Sequence, residues 1–152
     1  MTHEPLPFDL KLAREAFGTA AELHGAATRR AADRLTEADY ELLAAHDASY
    51  VAALADGRVQ DGIAADDAFH RVILDAAGDP DLIVSVELLI PRLRRMDLWL
   101  FTRKAFADGA SSHPAVIAAL RAGDAELAAT LVEASFTTAG EELAAAVERA
   151  GR

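Results

Sequence analysis

Signals that stop one helix and start the next recur along this chain, with alanine and leucine at helical spacing between them. No run of alternating Val, Ile or Thr bounded by turn residues interrupts the pattern, so a sheet is not expected. The first helix is predicted over about Phe8 to Ala32, entered after Pro5 and Pro7, with Leu10, Ala13, Phe17 and Ala21 on one side. Gly18 and Gly25 weaken it and point to close packing. Thr36, with Asp39 three residues on, reads as a capping box for a second helix to about Leu54. Gly57 ends that helix, and Tyr40, Leu43 and Tyr50 form its apolar face.

The third helix spans Val59 to Ala77 and stops at Gly78, after which Asp79-Pro80 supplies an N-cap and a first-turn proline for a fourth. That fourth segment, LIVSVELLIPRLRRMDLWLF, is apolar nearly all the way round. Such a helix is covered by the core on one side and by a partner on another. A homodimer interface is the expectation, with a merely central helix as the alternative, and Pro91 should kink it. A fifth helix from about Pro114 to Arg121 and a sixth, capped at Gly123-Asp124 and running to about Glu148, complete the set. The expected fold is all-α, an antiparallel helical bundle with short loops.

The chain has 152 residues, 52% hydrophobic and 26% charged, which fits one domain around one core, residues 1–152. Fifteen basic against 25 acidic side chains leave a formal net charge of -10, a field that repels phosphate backbones and anionic lipid. Direct nucleic-acid contact by this chain is therefore not expected. Cysteine is absent, which removes disulfides, thiolate catalysis and sulfur-ligated metal together, so any metal must be held by His and carboxylate. No basic-then-apolar leader or membrane-length apolar run is present, and a cytoplasmic location is the expectation.

The third helix carries the most informative pair. Asp66 and His70 stand four residues apart on the side shared by Ile63, Ile73 and Ala77, so both point into the bundle. The spacing alone says little; the inward orientation raises it. An ionised carboxylate in a core costs several kcal/mol, roughly, unless a cation or donors compensate it. Two readings stand: an Asp–His core hydrogen bond, or a metal or ligand site. Asp67 and Arg71, at the same spacing, read as an outward surface pair. His113 opens the fifth helix just before Pro114, as a cap or first-turn residue with Ile117 and Leu120 on its face. His3 lies in the tail, and His24 and His46 have no carboxylate at matching spacing, so none of the three is assigned a role. One guanidinium among Arg92, Arg94 and Arg95 could clamp an anionic ligand if turned inward; snorkelling to solvent is the alternative. Phosphate loops, nucleophile elbows and HExxH are missing.

The order of these features resembles the FCD domain, the C-terminal effector-sensing module of the FadR subfamily of GntR transcription regulators. The matching residues are Asp66, Phe69 and His70 in DDAFH, the VILDAAGDPDL that follows, and HPAVIAALRAGDAELA with His113, Ala119, Gly123 and Asp124. The looser similarity extends from about Leu10 to Ala146. The resemblance implies a bundle of six or seven helices, a divalent metal (Zn, Ni or Mn) held by one Asp and three His, and a small carboxylate effector anchored by it. Asp66, His70 and His113 match three ligand positions; the fourth falls on Ser135, a poor ligand that weakens the site or implies its loss. Pro114, directly after His113, is a second departure. The winged helix-turn-helix of that family has no counterpart in this chain, which reads either as a fragment of a longer regulator or as a free-standing sensor. Arg94 or Arg95, with Ser135, would then face the effector. The competing readings are a metal-dependent hydrolase built on Asp66, His70 and His113, and a purely structural dimerisation bundle.

Overall fold

A computed structural model describes residues 5–103 and 111–151 as six helices, with no strand among the described residues. They are α1 (Leu10–Ala31), α2 (Glu37–Ala55), α3 (Val59–Ala77), α4 (Pro80–Phe101), α5 (His113–Arg121) and α6 (Ala125–Ala150). Side-chain caps place most of the boundaries. The Thr36 hydroxyl accepts from the Asp39 amide at 3.2 Å while the Asp39 carboxylate accepts from the Thr36 amide at 2.9 Å, the reciprocal box expected from the sequence. Gly78 ends α3 at φ 68°, a left-handed conformation that a β-carbon would strain. Asp79 and Asp124 each accept an amide in the first turn of the helix that follows. α1 starts two residues later than predicted, because Asp9 caps it by accepting from the Leu12 amide at 3.0 Å. Phe8 is left outside the helix and packs edge-on against Trp99.

α1 lies along α6 and also meets α3 and α4, while α2 packs on α3 and α5 bridges α2 and α6. Two apolar clusters result. One gathers Leu43, Phe69, Ile73, Val116 and Val132; the other gathers Phe17, Leu93, Met96, Trp99 and Leu143. Each fully buried Leu, Phe or Met contributes roughly 1.5–3 kcal/mol to burial. Close approach of α1 to α6 needs small residues. A β-carbon on Gly25 would meet the Glu133 side chain and one on Gly140 the Phe17 ring, whereas Gly18 faces open space and marks no packing.

α4 departs from its expected pattern. Val86, Leu89, Leu93, Met96, Trp99 and Leu100 are buried on one face, but Val84 and Leu88 stand 55% and 73% exposed on the other. The helix runs unbroken through Pro91, which lies on the exposed side, so the carbonyl it leaves unbonded, that of exposed Glu87, can be hydrated.

Candidate metal centre

Among the described residues the buried polar side chains are His24, Thr28, His70 and His113. Thr28 is satisfied locally, its hydroxyl donating to the His24 carbonyl at 2.7 Å. The three histidines converge on a cavity of about 380 Å³ between the helices, whose wall includes Phe17, Leu74, Val86 and Leu93 from both apolar clusters. Asp66 and Ser135 also line it.

The arrangement follows from three helices. On α3, Asp66 and His70 share a face, and Asp66 Oδ1 lies 3.4 Å from His70 Nε2. The first residue of α5, His113, brings its Nε2 to 2.8 Å from the same oxygen. The expected first-turn position is correct, but the side chain is 4% exposed and reaches inward. Pro114 occupies the next position, and its missing amide is one the first turn would leave unpaired anyway. Phe69 stacks beneath the His113 ring at 3.9 Å between centroids and meets the His70 ring edge-on at 5.4 Å, fixing both imidazoles from one side.

The third contact came from α2 and was not read from the sequence. Asp47 Oδ1 lies 3.0 Å from His113 Nδ1 and accepts the Ser111 hydroxyl at 2.7 Å; Ser111 Oγ in turn accepts the His113 amide at 3.1 Å. An ionised carboxylate only accepts hydrogen bonds, so Nδ1 donates to Asp47 and Nε2 to Asp66; an ion bound at the cluster would displace the Nε2 proton, with Asp47 keeping the one on Nδ1. The signal was available: Leu43, Asp47 and Tyr50 occupy one stripe of α2.

Burial alone would raise the Asp66 carboxyl, but the charges and hydrogen bonds of His70 and His113 outweigh it and hold Asp66 well below the ordinary carboxylate range. Its side chain is 31% accessible and lines the cavity. Burial lowers His24 to about 3, with His70 adding to the effect and Asp66 opposing it. Burial first, then Asp66 and Asp67, raises Asp97 well above its ordinary value. Tyr50 is raised by burial and by the carboxylates of Asp66, Asp97 and Asp47.

Donor atoms of Asp66, His70 and His113 all lie within 4.8 Å of one another, close enough to bind a metal. The residues fit such an ion chemically: one carboxylate and two imidazoles suit zinc, nickel or manganese. Asp47 would act as the outer carboxylate that orients a ligating histidine. His70 turns its Nε2 to Asp66, while its buried Nδ1 has no hydrogen-bond partner. Ser135 reaches the cavity wall as expected, but its hydroxyl donates to the Val132 carbonyl at 2.7 Å.

The arginines differ from expectation. Arg94 is 56% exposed and bonds Asp67 at 2.6 Å, and Arg95 is exposed; neither is on the cavity wall. The Asp67–Arg71 surface pair does not form, because Asp67 turns to Arg94 on α4 while Arg71 bonds Asp75 at 2.8 Å and Glu87 at 2.7 Å. Arg71 nevertheless borders the cavity, together with Asp97 and Glu142. His24 also lines the cavity, against the expectation that it has no role, whereas His3 lies outside the described residues.

A family model described as the FCD domain matches residues 15–138. The chain belongs to the FCD domain family. FCD domains are the effector-binding, regulatory domains of GntR-type regulators. Their regulatory setting is not that of an enzyme. No curated protein matches the chain.

Proposed function

We propose that this FCD domain senses a small organic acid in its central cavity, next to a divalent metal held by Asp66, His70 and His113. The observation that carries the reading is the three donor atoms within 4.8 Å, set in the wall of a cavity between helices rather than on the surface. When bound, the ion supplies positive charge to which an effector carboxylate can coordinate. Among the described residues the cavity's one bordering arginine, Arg71, is already paired with Asp75 and Glu87, so it is not a free partner for that carboxylate.

The chain's residues do the rest. Asp47 holds the His113 proton on Nδ1, Phe69 fixes both imidazoles, and Leu74, Val86 and Leu93 exclude water around a ligand's carbon skeleton. Because the donors come from α3 and α5, with Asp47 from α2, occupancy favours one spacing of these helices. An effector shifts that balance only by its difference in affinity between the two arrangements. In this proposal the domain belongs to a FadR-subfamily regulator, a cytoplasmic homodimer whose DNA contacts lie outside residues 1–152. The acidic net charge of -10 and the exposed Val84 and Leu88, four residues apart on α4, support the last two points. No helix among the described residues is long and apolar enough to cross a membrane.

A thermal-shift screen of organic acids against zinc- or nickel-loaded protein tests the proposal. An effector at a hundred times its Kd stabilises by about 2.7 kcal/mol. His70→Ala should abolish that response. An acid that stabilises wild type and His70→Ala equally would count against a metal-anchored site.

A further inference from the structure

We propose that His24, on α1, is the fourth protein ligand of this centre, supplying the donor that Ser135 does not. The inference rests on the metal reading above and extends it to a residue outside the three-membered cluster. Three protein donors leave a divalent ion of this kind short of a closed set. Of the neighbouring side chains, Ser135 has already committed its hydroxyl proton to the Val132 carbonyl and offers only a neutral oxygen. His24 offers an imidazole.

Its position suits the task. The ring is 6% exposed, lines the same cavity, and lies 5.1 Å from the His70 ring between centroids, closer than His113 at 5.8 Å. Two imidazoles sharing one tetrahedral ion, with metal–nitrogen bonds of about 2.0–2.1 Å, hold their ring centres roughly 5 Å apart. His24 also lies against α6 beside the vacant donor position, stacked on Phe136, the residue after Ser135, at 4.4 Å and 16°. Without an ion its donor atoms stay outside the 4.8 Å cluster, so ligation requires the ring to leave that stack.

The His24 ring contacts the His70 and Phe136 rings, and no hydrogen bond to another described residue holds its nitrogens away from an ion. Two other acidic groups compete for the role. Asp97 and Glu142 border the same cavity, and Asp97 is the one to compare directly.

Cobalt(II) titration of chelator-stripped protein is the test, read by visible absorption, which reports coordination geometry independently of function. His24→Gln keeps a polar side chain of similar length and limits the risk of misfolding, which circular dichroism checks. The expected result is a fall in cobalt affinity of about tenfold or more, with weaker d–d bands as water replaces a nitrogen. Ser135→His in the His24→Gln background should restore both. If His24→Gln binds cobalt with the affinity and spectrum of wild type, or Asp97→Asn costs more than His24→Gln, the assignment of His24 is overturned. A His70→Ala control separates the two levels of the argument. If it too binds like wild type, the metal reading itself fails; if it loses cobalt while His24→Gln does not, only this inference falls.

Discussion

Replacing Asp47 by Asn isolates the residue that orients His113. The carboxylate is 17% exposed and accepts two hydrogen bonds, 2.7 Å from the Ser111 hydroxyl and 3.0 Å from His113 Nδ1. Asparagine keeps the volume and one accepting oxygen but removes the charge. A bond to an ionised acceptor is about twice as strong as a neutral one, so the metal-free protein should lose on the order of 1 kcal/mol. For a chain of this length that is a fall in Tm of about 2–4 °C. The loss in metal binding is larger. The outer partner of a ligating imidazole is worth about 10–100-fold in affinity, or about 1.4–2.7 kcal/mol. Isothermal titration of zinc or nickel into chelator-stripped protein measures it. Alanine would be a poorer probe, since it strands two buried donors at about 1–3 kcal/mol each and mixes folding with binding. An Asp47→Asn protein that takes up metal as tightly as wild type would refute the idea that Asp47 sets the His113 tautomer.

Three further outcomes follow from the same geometry. Burial holds His24 neutral down to about 3 against an ordinary 6.5, so between those values the unfolded chain binds a proton that the folded chain refuses. Stability should therefore drop as pH falls below 6.5, by about 1.4 kcal/mol at one unit below it, and His24→Leu should flatten that slope in urea titrations of chelator-treated protein; equal slopes would contradict it. Asp97 is raised well above its ordinary 3.8, chiefly by burial, so the folded state keeps a proton that the unfolded state releases, and stability falls as pH rises above that value. Asp97→Asn should then raise Tm at pH 7, with a gain that shrinks toward acid pH, and a lower Tm at neutral pH would count against the account. Leu88, 73% exposed on α4, is the surface probe: Leu88→Lys should convert the proposed dimer to a monomer by light scattering, and a variant that remains dimeric would exclude this face.

Helix boundaries were the most legible part of the fold because their causes are local. The Thr36–Asp39 box, Gly78 and the Asp79-Pro80 start place the ends of α2, α3 and α4 within a residue or so of the reading. Asp66 and His70 were legible as an inward pair for the same reason, since four residues on one helix share a face. What could not be read were partners joined across helices. Asp47 and His113 are 66 residues apart, and nothing in local periodicity brings α2 to the start of α5. Asp47, His24 and Asp97 each interrupt an otherwise apolar stripe, between Leu43 and Tyr50, between Ala20 and Ala27, and between Leu93 and Leu100. A polar residue in such a stripe was the available signal. Arg94 misled for the complementary reason. The inward stripe of α4 runs through Leu89, Leu93, Met96 and Leu100, which turns Arg94 aside to meet Asp67.

Metal content reads most directly on the central proposal that the Asp66, His70 and His113 cluster is a metal centre. Wild type, His70→Ala and His113→Ala, each shown to be folded by circular dichroism, would be stripped with chelator, reloaded with zinc or nickel, desalted and analysed by inductively coupled plasma mass spectrometry. The proposal predicts one equivalent of metal per chain in wild type and little or none in either variant. A wild type that retains no metal, or variants that retain as much as wild type, would contradict it.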